Sequence, residues 1–167
     1  MTDQPFFRFF PSAYAEGGPF EASDVACELC EKPAVWLFTG VIYQESDEDL
    51  NVCARCIASG ALRESAPEYG LHDMDFEAEI ETALAEEINQ RTPGFATWNA
   101  FVWPVRDTMP LVFMGYGSDK DLRQEPQAVA AIEALFADFD AADSDPSHAL
   151  VFKQIDGPAY VAILDLD

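Results

Sequence analysis

The chain has 167 residues, 49% of them hydrophobic, with 31 acidic residues against 9 Lys and Arg and a formal net charge of −22. That length fits one domain with a packed core, and so acidic a surface repels nucleic-acid phosphates and anionic membranes. No apolar run reaches the ~18 residues of a membrane-spanning helix, and the opening MTDQPFFRFFPSAYAEGG lacks the basic head and long apolar stretch of a signal peptide. A cytoplasmic location with reduced cysteines is therefore expected.

Residues 1–26 read as extended and aromatic. Pro5, Pro11 and Pro19 forbid a long helix, and Phe6, Phe7, Phe9, Phe10 and Tyr14 are expected to form a lid on the core. Ser23-Asp24 is a turn signal. It leads into CELC (27–30), which is followed by 22 residues and then CARC (53–56), and these hold all four cysteines of the chain. A CxxC turn presents two thiolates about one ion's width apart, and two such turns complete a tetrahedral shell. Residues 34–44, AVWLFTGVIYQ, read as a strand kinked at Gly40, and ESDED (45–49) as an acidic turn that returns the second pair to the first. Four thiolates leave no open position, so Cys27, Cys30, Cys53 and Cys56 are expected to hold one structural zinc. Iron takes the same ligand set. Disulfides would call for an export signal, and a redox CxxC would stand alone near a βαβ pattern. Lys32 and Arg55 flank the two pairs, where their charge would offset the 2− of a zinc tetrathiolate.

Cys53–Ala66 suggests a short helix whose N-terminus favours thiolate at Cys53 and Cys56. Residues 67–75 read as a loop, with His72 a loop histidine outside a shell already full. The clearest helix is 76–90, with Phe76, Ile80, Leu84 and Ile88 at i+4 spacing and glutamates on the other faces. Asp73 or Asp75 would cap it, and Thr92-Pro93-Gly94 stops it. Over 95–116, NAFVWPV and PLVFMGY read as two strands with a turn near Asp107-Thr108. Trp98 and Trp103 are weak binding candidates that would bracket a groove. The area a Trp buries favours core anchoring instead. A second helix is expected over 124–141, with Pro126 in its first turn and Val129, Ile132, Leu135, Phe136 and Phe139 on its apolar face. The chain ends in a hairpin, two apolar runs around Asp156-Gly157.

These elements predict an α+β fold: a mixed or antiparallel sheet of about five strands with two main helices packed on it and an N-terminal zinc-knuckle element. The expected organisation is a single domain over 1–167, with 1–66 its zinc-stapled part and 67–167 its helix and sheet part.

Several strings in one order resemble the CbrC-like family of bacterial proteins of unknown function. They are the opening F-x-x-x-P region, CELC, the strand ending TGVIY, CARCIASGAL, RTPGF with Trp98 and Trp103, and the terminal Asp165 and Asp167. The resemblance implies a cysteine-rich, zinc-binding protein, and one enterobacterial member is linked to tolerance of a DNase colicin. The chain departs from the family pattern in its second half. Arg106 and Asp107 stand where the family has a His-Cys pair, and Gln154, Asp156 and Leu166 stand where it has further cysteines. The resemblance therefore supports one metal site and no second one.

The leading functional reading is a protein-interaction module, with a structural zinc and an acidic, aromatic-lined surface for a basic partner. Its refinement is interference with a nuclease toxin. The alternative is an enzyme with an acid-based cleft, using carboxylates with His72 or His148. There is, however, no nucleophile elbow, metal-ligand histidine pair or phosphate loop in the chain. A nucleic-acid zinc ribbon needs a basic face, which nine scattered cations among 31 acids do not make.

Overall fold

The computed structural model describes residues 3–42, 50–65, 70–72, 74–98, 101–140 and 144–165. The expected ESDED turn, Asp73, Leu166 and Asp167 lie outside the described residues. The chain divides into two compact units, Met1–Met74 with Glu81–Ala96, and Asp75–Ile80 with Thr97–Asp167. Among the described residues no helix is long and apolar enough to cross a membrane.

The first unit is built on an aromatic stack. Phe7, Phe9 and Phe10 are buried as expected of a lid, while Phe6 is 77% exposed. Phe20 stacks on Phe7 at 5.4 Å and on Tyr14 at 4.9 Å, and meets Phe38 edge-on. Strand β1 (Phe20–Ala26) pairs antiparallel with β2 (Pro33–Phe38), and the register slips between Ser23 and Ala26. The expected turn at Ser23-Asp24 is thus an irregularity within a strand, where the Ser23 hydroxyl accepts from Val25 N–H. The strand expected to run to residue 44 stops at Phe38. The Phe38 ring folds over Gly40, so close that a Cβ there would collide with it.

Beyond Cys53 the expected single helix is two, α1 (Ala54–Ser59) and α2 (Ala61–Ser65), separated by Gly60 at φ 80°. This left-handed residue ends α1 by donating to the Cys56 and Ile57 carbonyls, a role that suits glycine. Helix α3 covers only Thr82–Arg91 and stops at Thr92, at the expected breaker. Leu84 and Ile88 are buried as the period requires.

The residues expected to begin that helix belong to the second unit. Trp103 N–H donates to the Asp75 carbonyl (2.8 Å), and Glu77 N–H donates to the Trp103 carbonyl (3.1 Å). Tertiary pairing thus overrides the helical period at Phe76, and Asp75 is not the cap; the N-cap is Glu81. Strands β3 (Val105–Arg106) and β4 (Met109–Pro110) form a small hairpin. Its turn is the expected Asp107-Thr108, both residues at positive φ, as two-residue hairpin loops demand. The segment before Val105 is not the expected strand.

β5 (Val112–Tyr116), β6 (Ala149–Lys153) and β7 (Tyr160–Leu164) form an antiparallel sheet in that order. The Asp156-Gly157 turn joins β6 to β7 within a longer loop. Helix α4 (Pro126–Leu135) packs on β7 and β6, with Pro126 at its start as expected. It ends six residues short of residue 141, and Phe139 is 40% exposed. Ala128, Ile132 and Phe136 pack with Ala149 and Val151 on one face of β6. Phe152, on the other face, meets Phe101, Trp103 and Phe113.

The fold is α+β, but the single sheet of about five strands is corrected to three small antiparallel sheets of two, two and three strands among the described residues. The strands are too short and too separated by loops to share one hydrogen-bonded ladder.

Candidate metal centre

The first CxxC turn joins β1 to β2. Cys27 N–H donates to the Lys32 carbonyl (2.9 Å) and Glu31 N–H to the Cys27 carbonyl (2.8 Å), with Glu31 in the left-handed region at φ 58°. This tight loop turns the Cys30 side chain back beside Cys27. The second pair opens α1. Cys53 is the residue preceding the helix, bridged to Leu37 of β2, and Cys56 lies in the first turn. Glu28 clips the two together: its N–H donates to the Asn51 carbonyl (2.9 Å), and its carboxylate accepts from Asn51 Nδ2 (3.0 Å).

The four Sγ atoms lie within 4.8 Å of one another. Cys27 and Cys56 are 3.7 Å apart and Cys30 and Cys53 3.8 Å. A tetrahedron of thiolates about 2.3 Å from a central ion has edges of about 3.8 Å, so the cluster fits one four-coordinate ion. A disulfide requires about 2.05 Å, so these are four separate thiols. Cys27, Cys53 and Cys56 are buried and Cys30 is half-buried.

Electrostatics agree with a cation site. Burial pushes the Cys27 thiol up, against the pull of the Cys53, Cys30 and Leu29 N–H groups. Cys56 is also raised, by burial and then by the neighbouring sulfurs. Burial acts the same way on Cys30, but the Lys32 N–H and the three other thiols outweigh it and lower it to about 7. Four sulfurs so placed cannot all ionise without a compensating positive charge. Arg55 supplies part of it: the Cys53 sulfur holds its guanidinium above the usual range, while Nη1 reaches Asp3 at 2.7 Å. The Lys32 backbone N–H favours thiolate at Cys30 as a neutral hydrogen-bond donor and adds no charge of its own.

The remaining candidates lie elsewhere. His72 is buried in the first unit, its Nε2 3.3 Å from the Pro93 carbonyl and its ring against Phe95, and it is outside the thiol cluster. His148, in the second unit, closes a 3-10 turn (Pro146–His148). Its buried Nδ1 has no hydrogen-bond partner among the described residues. Trp103 is fully buried and donates from Nε1 to the Leu111 carbonyl (2.9 Å), whereas Trp98 is 79% exposed. The Trp98 backbone N–H is held at 2.9 Å by both carboxylate oxygens of buried Asp165. Sequence reasoning missed the Glu28–Asn51 clip and the Asp165–Trp98 clamp. Only the clamp left a trace, in the terminal Asp-x-Asp string.

Fold and cluster together define a class, an α+β protein with four converging cysteines close enough to hold one metal ion. The chain belongs to the uncharacterised protein family UPF0167, whose model matches residues 4–161. It is similar to a UPF0167 protein of Pseudomonas aeruginosa, 31% identical over 141 residues, covering 81% of this chain and 75% of that one. UPF0167 proteins of Mycobacterium bovis and Mycobacterium tuberculosis are each 26% identical over 140 residues, covering 81% of this chain and 73% of theirs. No solved structure matches the chain.

Proposed function

We propose that the chain is a CbrC-like, zinc-stabilised protein-interaction module of the cytoplasm, and that Cys27, Cys30, Cys53 and Cys56 bind one structural zinc. The tetrahedral spacing of the four sulfurs carries this reading. A closed four-thiolate shell offers no open position for substrate and supplies folding free energy, which suits a structural ion rather than a catalytic one. When bound, the ion would cross-link the β1–β2 turn to the start of α1. Activity then falls to the surface rather than to the metal, and no enzymatic step is assigned to it.

A net charge of −22 favours a basic protein as partner. Such a field speeds encounter with a cationic surface and rejects phosphate backbones. A cationic nuclease toxin is one such partner, in line with the tolerance link of the family it resembles. Elemental analysis of the purified chain, followed by pull-down across a salt series, tests both halves. One zinc per chain is expected, with captured basic proteins released as salt rises. A visible charge-transfer band would identify iron instead. A partner set indifferent to salt would overturn the electrostatic half.

A further inference from the structure

The first unit holds a cavity of about 160 Å³ whose walls include two of the chain's nine cationic residues and no cysteine. Arg8 and Arg91 face it, together with Phe6, Phe7, Ala58 and Glu87. The two arginines are in different states. Arg8 is committed: its Nε and Nη2 meet both oxygens of Glu87 in a bidentate pair, and its guanidinium lies 4.7 Å from the centre of the Phe9 ring. The side chain of Arg91, the last residue of α3, makes no hydrogen bond or ion pair among the described residues. A cation at a helix C-terminus is favourable in itself, but that does not account for the cavity and the exposed Phe6 ring beside it. Two guanidiniums and one carboxylate leave the cavity locally positive on a chain of net charge −22.

We propose that this cavity binds a small monocarboxylate with a compact apolar body. Its carboxylate sits on the free fork of Arg91, a geometry guanidinium matches bidentately. Its apolar part covers the exposed ring of Phe6, 77% open to solvent. Size restricts the ligand, since enclosing sites for drug-sized molecules run to about 300–1,000 Å³. Charge restricts it further. In the field of so acidic a chain a dianion such as phosphate does twice the electrostatic work of a monoanion on approach. The proposal does not depend on the metal reading.

The test is a titration of the full-length chain with benzoate, benzamide and inorganic phosphate, followed by amide NMR. Benzoate should shift the Phe6, Phe7, Arg8 and Thr92 amides saturably in the millimolar range, with benzamide and phosphate much weaker. Arg91→Gln should weaken benzoate about tenfold, the loss of a charge-assisted contact, with the melting temperature lowered by at most a few degrees, since only the favourable charge at the end of α3 is lost. Glu87→Gln removes the competing carboxylate, and benzoate should bind more tightly to any of this variant that a melt shows to be folded. Arg123→Gln, outside the cavity, should leave binding unchanged. No saturable shift at tens of millimolar benzoate, an equal response to benzamide, phosphate binding tighter than benzoate, or an unaffected Arg91→Gln would each overturn the proposal.

Discussion

His72 makes the folded chain sensitive to mild acid. Its ring is 6% exposed, and burial lowers its pKa from the ordinary 6.5 to about 4, against a smaller upward pull from the Pro93 carbonyl. The sign follows from which state takes up the proton. Between these two values the unfolded chain is protonated at His72 and the native chain is not, so stability falls as pH drops through that window. Above it nothing is lost, and below about 4 the loss levels off. At 1.36 kcal/mol per pKa unit, the full loss is on the order of 3 kcal/mol, and about 2 kcal/mol of it is already gone at pH 5. His72→Gln removes the titration and keeps an amide that can donate to the Pro93 carbonyl. Urea unfolding at about pH 7.5 and pH 5 should show the parent losing about 2 kcal/mol more than the variant across the step. Acid effects on the thiol cluster act on both proteins and cancel in the comparison. If both lost the same stability to within about 0.5 kcal/mol, the buried-neutral account of His72 would be wrong.

Other perturbations should separate structural from solvent-facing groups. On the zinc reading proposed above, a chelator or Cys27→Ser should unfold the first unit, because structural zinc supplies on the order of 10 kcal/mol against total stabilities of about 5–15 kcal/mol; a circular-dichroism melt with and without chelator reads this. Trp103→Ala should cost about 3–5 kcal/mol in chemical denaturation, as a fully buried ring with a satisfied indole N–H. Trp98→Ala should change stability by less than about 0.5 kcal/mol, because the Asp165 clamp holds the backbone and not the indole. Gly60→Ala should cost about 1–2 kcal/mol for a side chain at positive φ. Only the Arg91 side chain approaches that position, at 3.5 Å, so Gly60→Asn should be milder.

The parts of the fold that could be read from sequence are those specified by neighbours in the chain. Paired cysteines, Pro126 at a helix start, the Thr92-Pro93-Gly94 stop and the Asp107-Thr108 turn each act within a few residues. What could not be read depends on distant partners. β1 is hidden because Glu21, Ser23 and Asp24 point outward and Phe20 alone is buried, so no alternation marks it. Phe76 and Ile80 fit the period of α3, yet Trp103 claims the backbone beside them. Trp98 and Trp103 are alike in composition and spacing, but one anchors the core and the other faces solvent. The Arg8–Glu87 pair spans 79 positions, beyond any local pattern.

That pair and the thiol cluster also differ in what it takes to bring their ends together. The Cys53 N–H to Cys27 Sγ contact closes a loop of 26 positions, and Arg8–Glu87 one of 79. The entropy of closure favours the shorter loop by about 1 kcal/mol before any contact energy is counted. All four sulfurs are also synthesised by residue 56, before α3 exists. In a chain emerging from the ribosome the two cysteine pairs can therefore meet while the rest of the unit is unmade. Closing that loop first would set the β1–β2 turn against the start of α1 before α3 can pack.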